Sequence, residues 1–82
     1  MKAIVWSKTQ CPFCDQAKAL LTQHGIAFEE RKIGVGYTKE DLLEAAPTAR
    51  TVPQIFIDDK LIGGVMDLKK HLNSANSITL QG

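Results

Sequence analysis

The amino-acid sequence predicts an α/β domain of order β-α-β-α-β-β-α, with a mixed sheet of about four strands flanked by three helices. Three observations carry this. Apolar runs of strand length alternate with apolar residues at helical spacing. A strand–helix–strand opening demands a right-handed crossover between two parallel strands. A late pair of runs is separated only by a tight polar turn, which makes that pair antiparallel. The 82 residues, 44% hydrophobic and 23% charged, suffice for one modest core, so residues 1–82 are expected to form a single domain.

The elements follow in order. Ala3-Ile4-Val5-Trp6 is a short apolar run rich in strand formers, leaving through the polar segment Ser7 to Gln10. From Pro12 the pattern turns helical: Phe13, Ala17, Leu20 and Leu21 recur at intervals of three and four, and Gly25 after His24 supplies the stop. Ile26-Ala27-Phe28 predicts a second strand, ended by the charged run Glu29 to Lys32, and Gly34 and Gly36 mark a loop. Thr38 is placed to cap a second helix, with Asp41 completing a capping box, Leu42 and Leu43 on its apolar side and Pro47 ending it. Gln54-Ile55-Phe56-Ile57 is a strand, Asp58-Asp59-Lys60 a turn, and Leu61-Ile62 the returning arm, terminated by Gly63-Gly64. Val65, Leu68 and Leu72 share the face of a third helix opposite Lys69 and Lys70, and the polar tail from Asn73 reads as a frayed end.

Charge excludes several classes of partner. Ten Lys and Arg against nine Asp and Glu leave a formal charge of +1, which gives no broad field for gripping nucleic acid or an anionic membrane. No stretch approaches the roughly 20 apolar residues that span a bilayer, and Ala3 to Trp6 is too short for a signal peptide. The chain therefore reads as cytoplasmic.

The two cysteines sit together in Cys11-Pro12-Phe13-Cys14. A staple of such short reach would remove unfolded-state entropy equivalent to only about 2 kcal/mol, so stability does not explain it. Zinc is a poor alternative, because no second CxxC exists and His24 and His71 fall in different helices without metal-ligand spacing; no metal is expected. Both histidines read instead as charge partners near helix C-termini. Chemistry fits better. Pro12 suits the first helical position, which puts Cys11 before unpaired helix N–H groups and the positive end of the helix dipole, where a thiolate is favoured over a thiol. Cys14, three residues on, lies one turn deeper on the same side, within reach of a mixed disulfide formed on Cys11.

These residues resemble a known family. The segments Trp6-Ser7-Lys8-Thr9-Gln10-Cys11-Pro12-Phe13-Cys14, Arg50-Thr51-Val52-Pro53-Gln54-Ile55-Phe56-Ile57, Ile62-Gly63-Gly64 and Asp67-Leu68 are similar, in order and spacing, to dithiol glutaredoxins of bacterial or phage type. The likeness runs from Lys2 to about Leu72. It implies a thioredoxin-like fold and a glutathione-dependent thiol–disulfide oxidoreductase, with Cys11 as nucleophile and Cys14 as resolving thiol. Its partners would be glutathione, as reductant and co-substrate, and disulfide-containing or glutathionylated proteins, ribonucleotide reductase among them; the expected state is a monomer.

The resemblance also implies a glutathione site. Pro53 would follow Val52 in a cis peptide beside the cysteines, with the Val52 backbone pairing the cysteine of glutathione like a short strand. Lys8 and Arg50, the latter next to Thr51, would meet carboxylates, and Asp67 the γ-glutamyl amine. Gly64 would let the backbone approach closely at a helix N-terminus. Phe13 stands where many relatives carry tyrosine, either lining the pocket or covering the first turn; Trp6, another replacement of tyrosine, reads as core packing. Met66 occupies a position that is Asp, Ser or Thr in many relatives, so either a side-chain contact is lost there or the Met66 backbone N–H supplies it. Two other readings compete. Pro12 opposes an iron–sulfur carrier, because the family's dedicated carriers have Cys-Gly-Phe-Ser, and a thioredoxin would show Trp-Cys-Gly-Pro-Cys.

Overall fold

In a computed structural model, which describes the backbone of residues 2–81 and the side chains of residues 2–73, the chain runs β1 (Lys2–Ser7), α1 (Pro12–Gln23), β2 (Ala27–Lys32), α2 (Lys39–Ala45), β3 (Gln54–Ile57), β4 (Lys60–Gly63) and α3 (Val65–Gln81). The strands form one sheet in the order β2-β1-β3-β4. β1 is parallel to β2 and antiparallel to β3, and β3 is antiparallel to β4, so the sheet is mixed as the sequence predicts.

The two-residue period of the strands sorts the apolar side chains into two cores. Ala3 and Val5 of β1 and Ile55 and Ile57 of β3 lie on one face, packed with Ala17 and Leu21 of α1 and Val65, Leu68 and Leu72 of α3. The intervening Ile4, Trp6 and Phe56 lie on the other, with Leu42 and Ala46 from α2 and the turn after it. Trp6 is 2% exposed, which fits the core role expected of it.

Local chemistry sets the element ends. α1 stops in a Schellman arrangement: Gly25, at φ +68°, donates to the Thr22 carbonyl (3.0 Å) and Ile26 N–H to the Leu21 carbonyl (2.9 Å). α2 starts in the full capping box, with Asp41 N–H donating to Thr38 Oγ1 (3.2 Å) and Thr38 N–H to Asp41 Oδ2 (2.8 Å). Asp58 and Asp59 both take positive φ in the turn that joins β3 to β4, a conformation their short polar side chains tolerate better than most.

Two expectations need correction. The charged run Glu29–Lys32 does not end β2 but forms most of it, in register with Ile4–Ser7 of β1. As an edge strand β2 keeps these side chains half-buried, and three of them have partners: Ser7 Oγ (2.7 Å) and Lys18 Nζ (2.9 Å) donate to Glu30, and Arg31 Nε donates to Glu29 (2.6 Å). The Arg31 guanidinium also lies 5.4 Å from the Trp6 ring and 5.5 Å from that of Tyr37. The backbone of α3 extends to Gln81, and the frayed end expected from Asn73 falls outside the residues whose side chains are described. Second, His71 therefore sits inside α3 and not near its C-terminus, whereas His24 is the C-cap of α1.

Candidate active site

The site begins where β1 hands over to α1. Gln10 turns the chain at φ +55°, and Cys11 then takes an extended conformation as the N-cap, with Pro12 in the first turn. Cys11 Sγ accepts the N–H of Cys14 at 3.2 Å, the hydrogen bond that a capping oxygen accepts elsewhere. The two cysteines are joined in a disulfide with Cα atoms 5.2 Å apart, so both sulfurs lie on the same side of the first turn. Cys14 is 1% exposed and Cys11 7%, which makes Cys11 the more exposed residue of the pair.

The cleft next to this turn is a groove of about 540 Å³, inside the range of about 300–1,000 Å³ usual for small-ligand sites. Phe13 brings the CxxC turn to it, Thr51, Val52 and Pro53 bring the loop before β3, and Gly64, Met66 and Asp67 bring the start of α3. Pro53 is buried and follows Val52 in a cis peptide, as the resemblance implies. Gln54 Nε2 donates to the Thr51 carbonyl (2.8 Å), tying that loop to the first residue of β3. Phe13 is 60% and Met66 75% exposed, so both present apolar surface at the groove.

Lys8 and Arg50 do not line this groove. They line an adjoining one of about 420 Å³, which shares Ala49, Thr51 and Val52 with the first. Sequence reasoning missed a third cation there: Lys39, the first residue of α2, beside Leu42 and Leu43. A lysine just after an N-cap reads as solvated surface, and the available signal was the spacing of Thr38 and Asp41, which fixes where α2 begins. A Cβ on Gly64 would meet only the Pro53 carbonyl oxygen at 3.6 Å, an ordinary contact, whereas one on Gly63 would collide with the Asp67 carboxylate. That carboxylate accepts the Gly64 N–H at 3.3 Å.

Behind the cysteines, α1 is fastened to the sheet by charge. Lys18, one turn after Cys14, reaches Glu30 of β2 at 2.9 Å and Asp15 at 3.4 Å. The bond from Lys18, then that from the fully buried Ser7 hydroxyl, holds the Glu30 carboxyl below its ordinary range, and the same contact with Glu30 raises Lys18. Among the described residues no three His, Cys, Asp or Glu side chains gather as metal ligands would. No described helix is long and apolar enough to cross a membrane.

Comparison with known proteins agrees with this geometry. The family model described as Glutaredoxin matches residues 3–62. Glutaredoxin 3 of Escherichia coli K12 is 42% identical over 64 residues, covering 78% of this chain and 77% of that protein. Reduced Escherichia coli glutaredoxin superposes with a TM-score of 0.76 at 33% identity, over 90% of this chain and 95% of that one. The buckwheat glutaredoxin–glutathione complex gives 0.72 at 31% identity, over 88% of this chain and 69% of that one. A paired-cysteine turn at a helix head, on a sheet of this order and sharing a groove with a buried cis-proline, thus has the same relatives by sequence and by shape. The chain belongs to the glutaredoxin family and is a thiol–disulfide oxidoreductase of thioredoxin-like fold, with Cys11–Cys14 as its redox-active disulfide.

Proposed function

We propose that the chain is a glutathione-dependent reductant of protein disulfides and glutathione mixed disulfides, working as a single-domain monomer in the cytoplasm, with Cys11 as nucleophile and Cys14 as resolving thiol. The observation that carries this reading is Cys11 Sγ at the head of α1, taking a helix N–H at 3.2 Å, on the less buried cysteine of the pair. A thiolate in that position keeps the N–H donor and gains the helix dipole. The glutathione complex of the buckwheat relative supports glutathione as the small thiol.

Cys11, as thiolate, attacks one sulfur of the substrate disulfide; a bond forms to Cys11, the old S–S bond breaks, and the departing sulfur leaves as thiolate and takes a proton. On a glutathionylated protein the sulfur attacked is that of glutathione. A second glutathione thiolate then attacks this sulfur, releasing oxidised glutathione and the Cys11 thiolate. On a protein disulfide, Cys14 loses its proton and attacks Cys11 Sγ, which expels the second substrate thiol and leaves the Cys11–Cys14 disulfide. Two glutathiones supply the two electrons that reopen it.

In the proposed pose the γ-glutamyl amine meets Asp67, the Thr51-Val52-Pro53 loop lies along the glutathione backbone with Phe13, Gly64 and Met66 around it, and the carboxylates face Lys8 and Arg50. Disulfide-containing or glutathionylated proteins, ribonucleotide reductase included, are the proposed partners. The test is a coupled assay with glutathione, glutathione reductase and NADPH. Cys11→Ser is expected to abolish turnover of both substrate kinds, whereas Cys14→Ser keeps turnover of glutathionylated substrates and loses that of protein disulfides. Turnover surviving in Cys11→Ser, or no glutathione-dependent turnover by the wild type, would overturn the reading.

A further inference from the structure

We propose that Gly63 is a positioning residue for Asp67: the side chain missing at position 63 is the space in which the Asp67 carboxylate stands beside the groove, so this glycine sets how firmly the amino end of a glutathione unit is held. The proposal rests on the glutathione reading above.

Gly63 closes β4 at φ +120°, where L side chains are strained. A Cβ built there would fall on Oδ2 and Cγ of Asp67, well inside contact distance. The carboxylate is held in place by the Gly64 N–H, which donates to Oδ2 at 3.3 Å across the start of α3. Gly63, Gly64 and Asp67 all line the groove that also holds Phe13 and Val52. An ionised carboxylate has about four lone-pair sites, so one bond to Gly64 leaves it able to accept an ammonium group. The two glycines thus do different things to one side chain: Gly64 supplies the N–H that orients it, and Gly63 supplies the room.

A simpler account makes Gly63 necessary only for its φ. A double-mutant cycle separates the two, because backbone strain is common to both backgrounds whereas a role through Asp67 disappears once Asp67 is gone. Turnover of a glutathionylated peptide is measured for the wild type, Gly63→Ala, Asp67→Ala and the double variant. Each single change is expected to raise KM about tenfold with kcat within about twofold, and the double to be no worse than Asp67→Ala alone. Increases that multiply to about a hundredfold, or an unchanged KM in Gly63→Ala, overturn the proposal. If Gly63→Ala does not fold, Asp67→Glu asks the question with the glycine in place. The added methylene carries the carboxylate out of its seat, so KM is expected to rise as far as in Asp67→Ala, and a wild-type KM overturns the proposal. A wild type inactive with glutathione removes the glutathione reading and this role together; an active wild type with multiplying effects removes this role alone.

Discussion

Under α1 and α3 the sheet lays down Ala3, Val5, Ile55 and Ile57, none more than 5% exposed, against Ala17, Leu21, Leu68 and Leu72. On the opposite face the same strands offer Ile4, Trp6 and Phe56, covered by the seven-residue α2 and its neighbouring turns, and only Trp6, Leu42 and Ala46 of that cluster are fully buried. The closed face carries both helix starts that border the principal groove, the Cys11 cap of α1 and the Gly64–Asp67 turn that opens α3. The thin face carries the cations Lys8, Lys39 and Arg50 along an apolar floor. Thiol geometry is thus fixed by the well-packed side of the sheet, and the three cations stand on the side with less packing to lose.

Core truncations break the comparison most severely. Leu68→Ala, at a site with 0% exposure, is expected to cost about 4 kcal/mol in denaturant unfolding, near the upper end for buried leucines. Leu42→Ala on the thin face is expected to cost about 2 kcal/mol, because a short helix flanked by loops can settle into the space. Equal losses would mean that the two faces are packed alike.

Next comes the charge tie at the edge of the closed face. Glu30 has a folded pKa below its unfolded one, so its contribution to stability is complete above the ordinary carboxylate range and is lost as pH falls through the folded value. Glu30→Gln is expected to cost about 1 kcal/mol at pH 7, the difference from wild type vanishing as acid titrates the carboxylate. A difference that persists unchanged in acid would assign the effect to shape and not to charge.

The smallest effect is expected on the thin face, where Lys39→Ala should raise KM for glutathionylated substrates about threefold with stability nearly unchanged, as suits one solvated cation among three. Lys8→Ala is expected to act in the same direction. An unaltered KM in both would remove the second groove from substrate binding.

Where the chain announces itself and where it does not follows from this division. The strand-forming runs Ala3–Trp6 and Gln54–Ile57, the Thr38/Asp41 box and Gly25 after His24 are local signals, and the fold obeys them because local geometry decides each. The Cys11–Cys14 turn was legible for the same reason. The charged half of β2 was not, since Glu30 and Arg31 become acceptable in a strand only once Ser7, Lys18, Trp6 and Tyr37 are folded against them. Lys39 and the separate duties of Gly63 and Gly64 were hidden likewise, because each depends on a neighbour that only the tertiary structure supplies.

Trp6 gives the molecule an optical consequence. It is the sole indole in the chain, sealed on the α2 side with the Tyr37 ring edge-on at 5.5 Å and a guanidinium beside it. Its emission is therefore a native reporter of one layer only: loosening of α2 should alter the fluorescence while amide protons of α1 and α3 are still slow to exchange, so that the order in which the two layers come apart can be timed without any label.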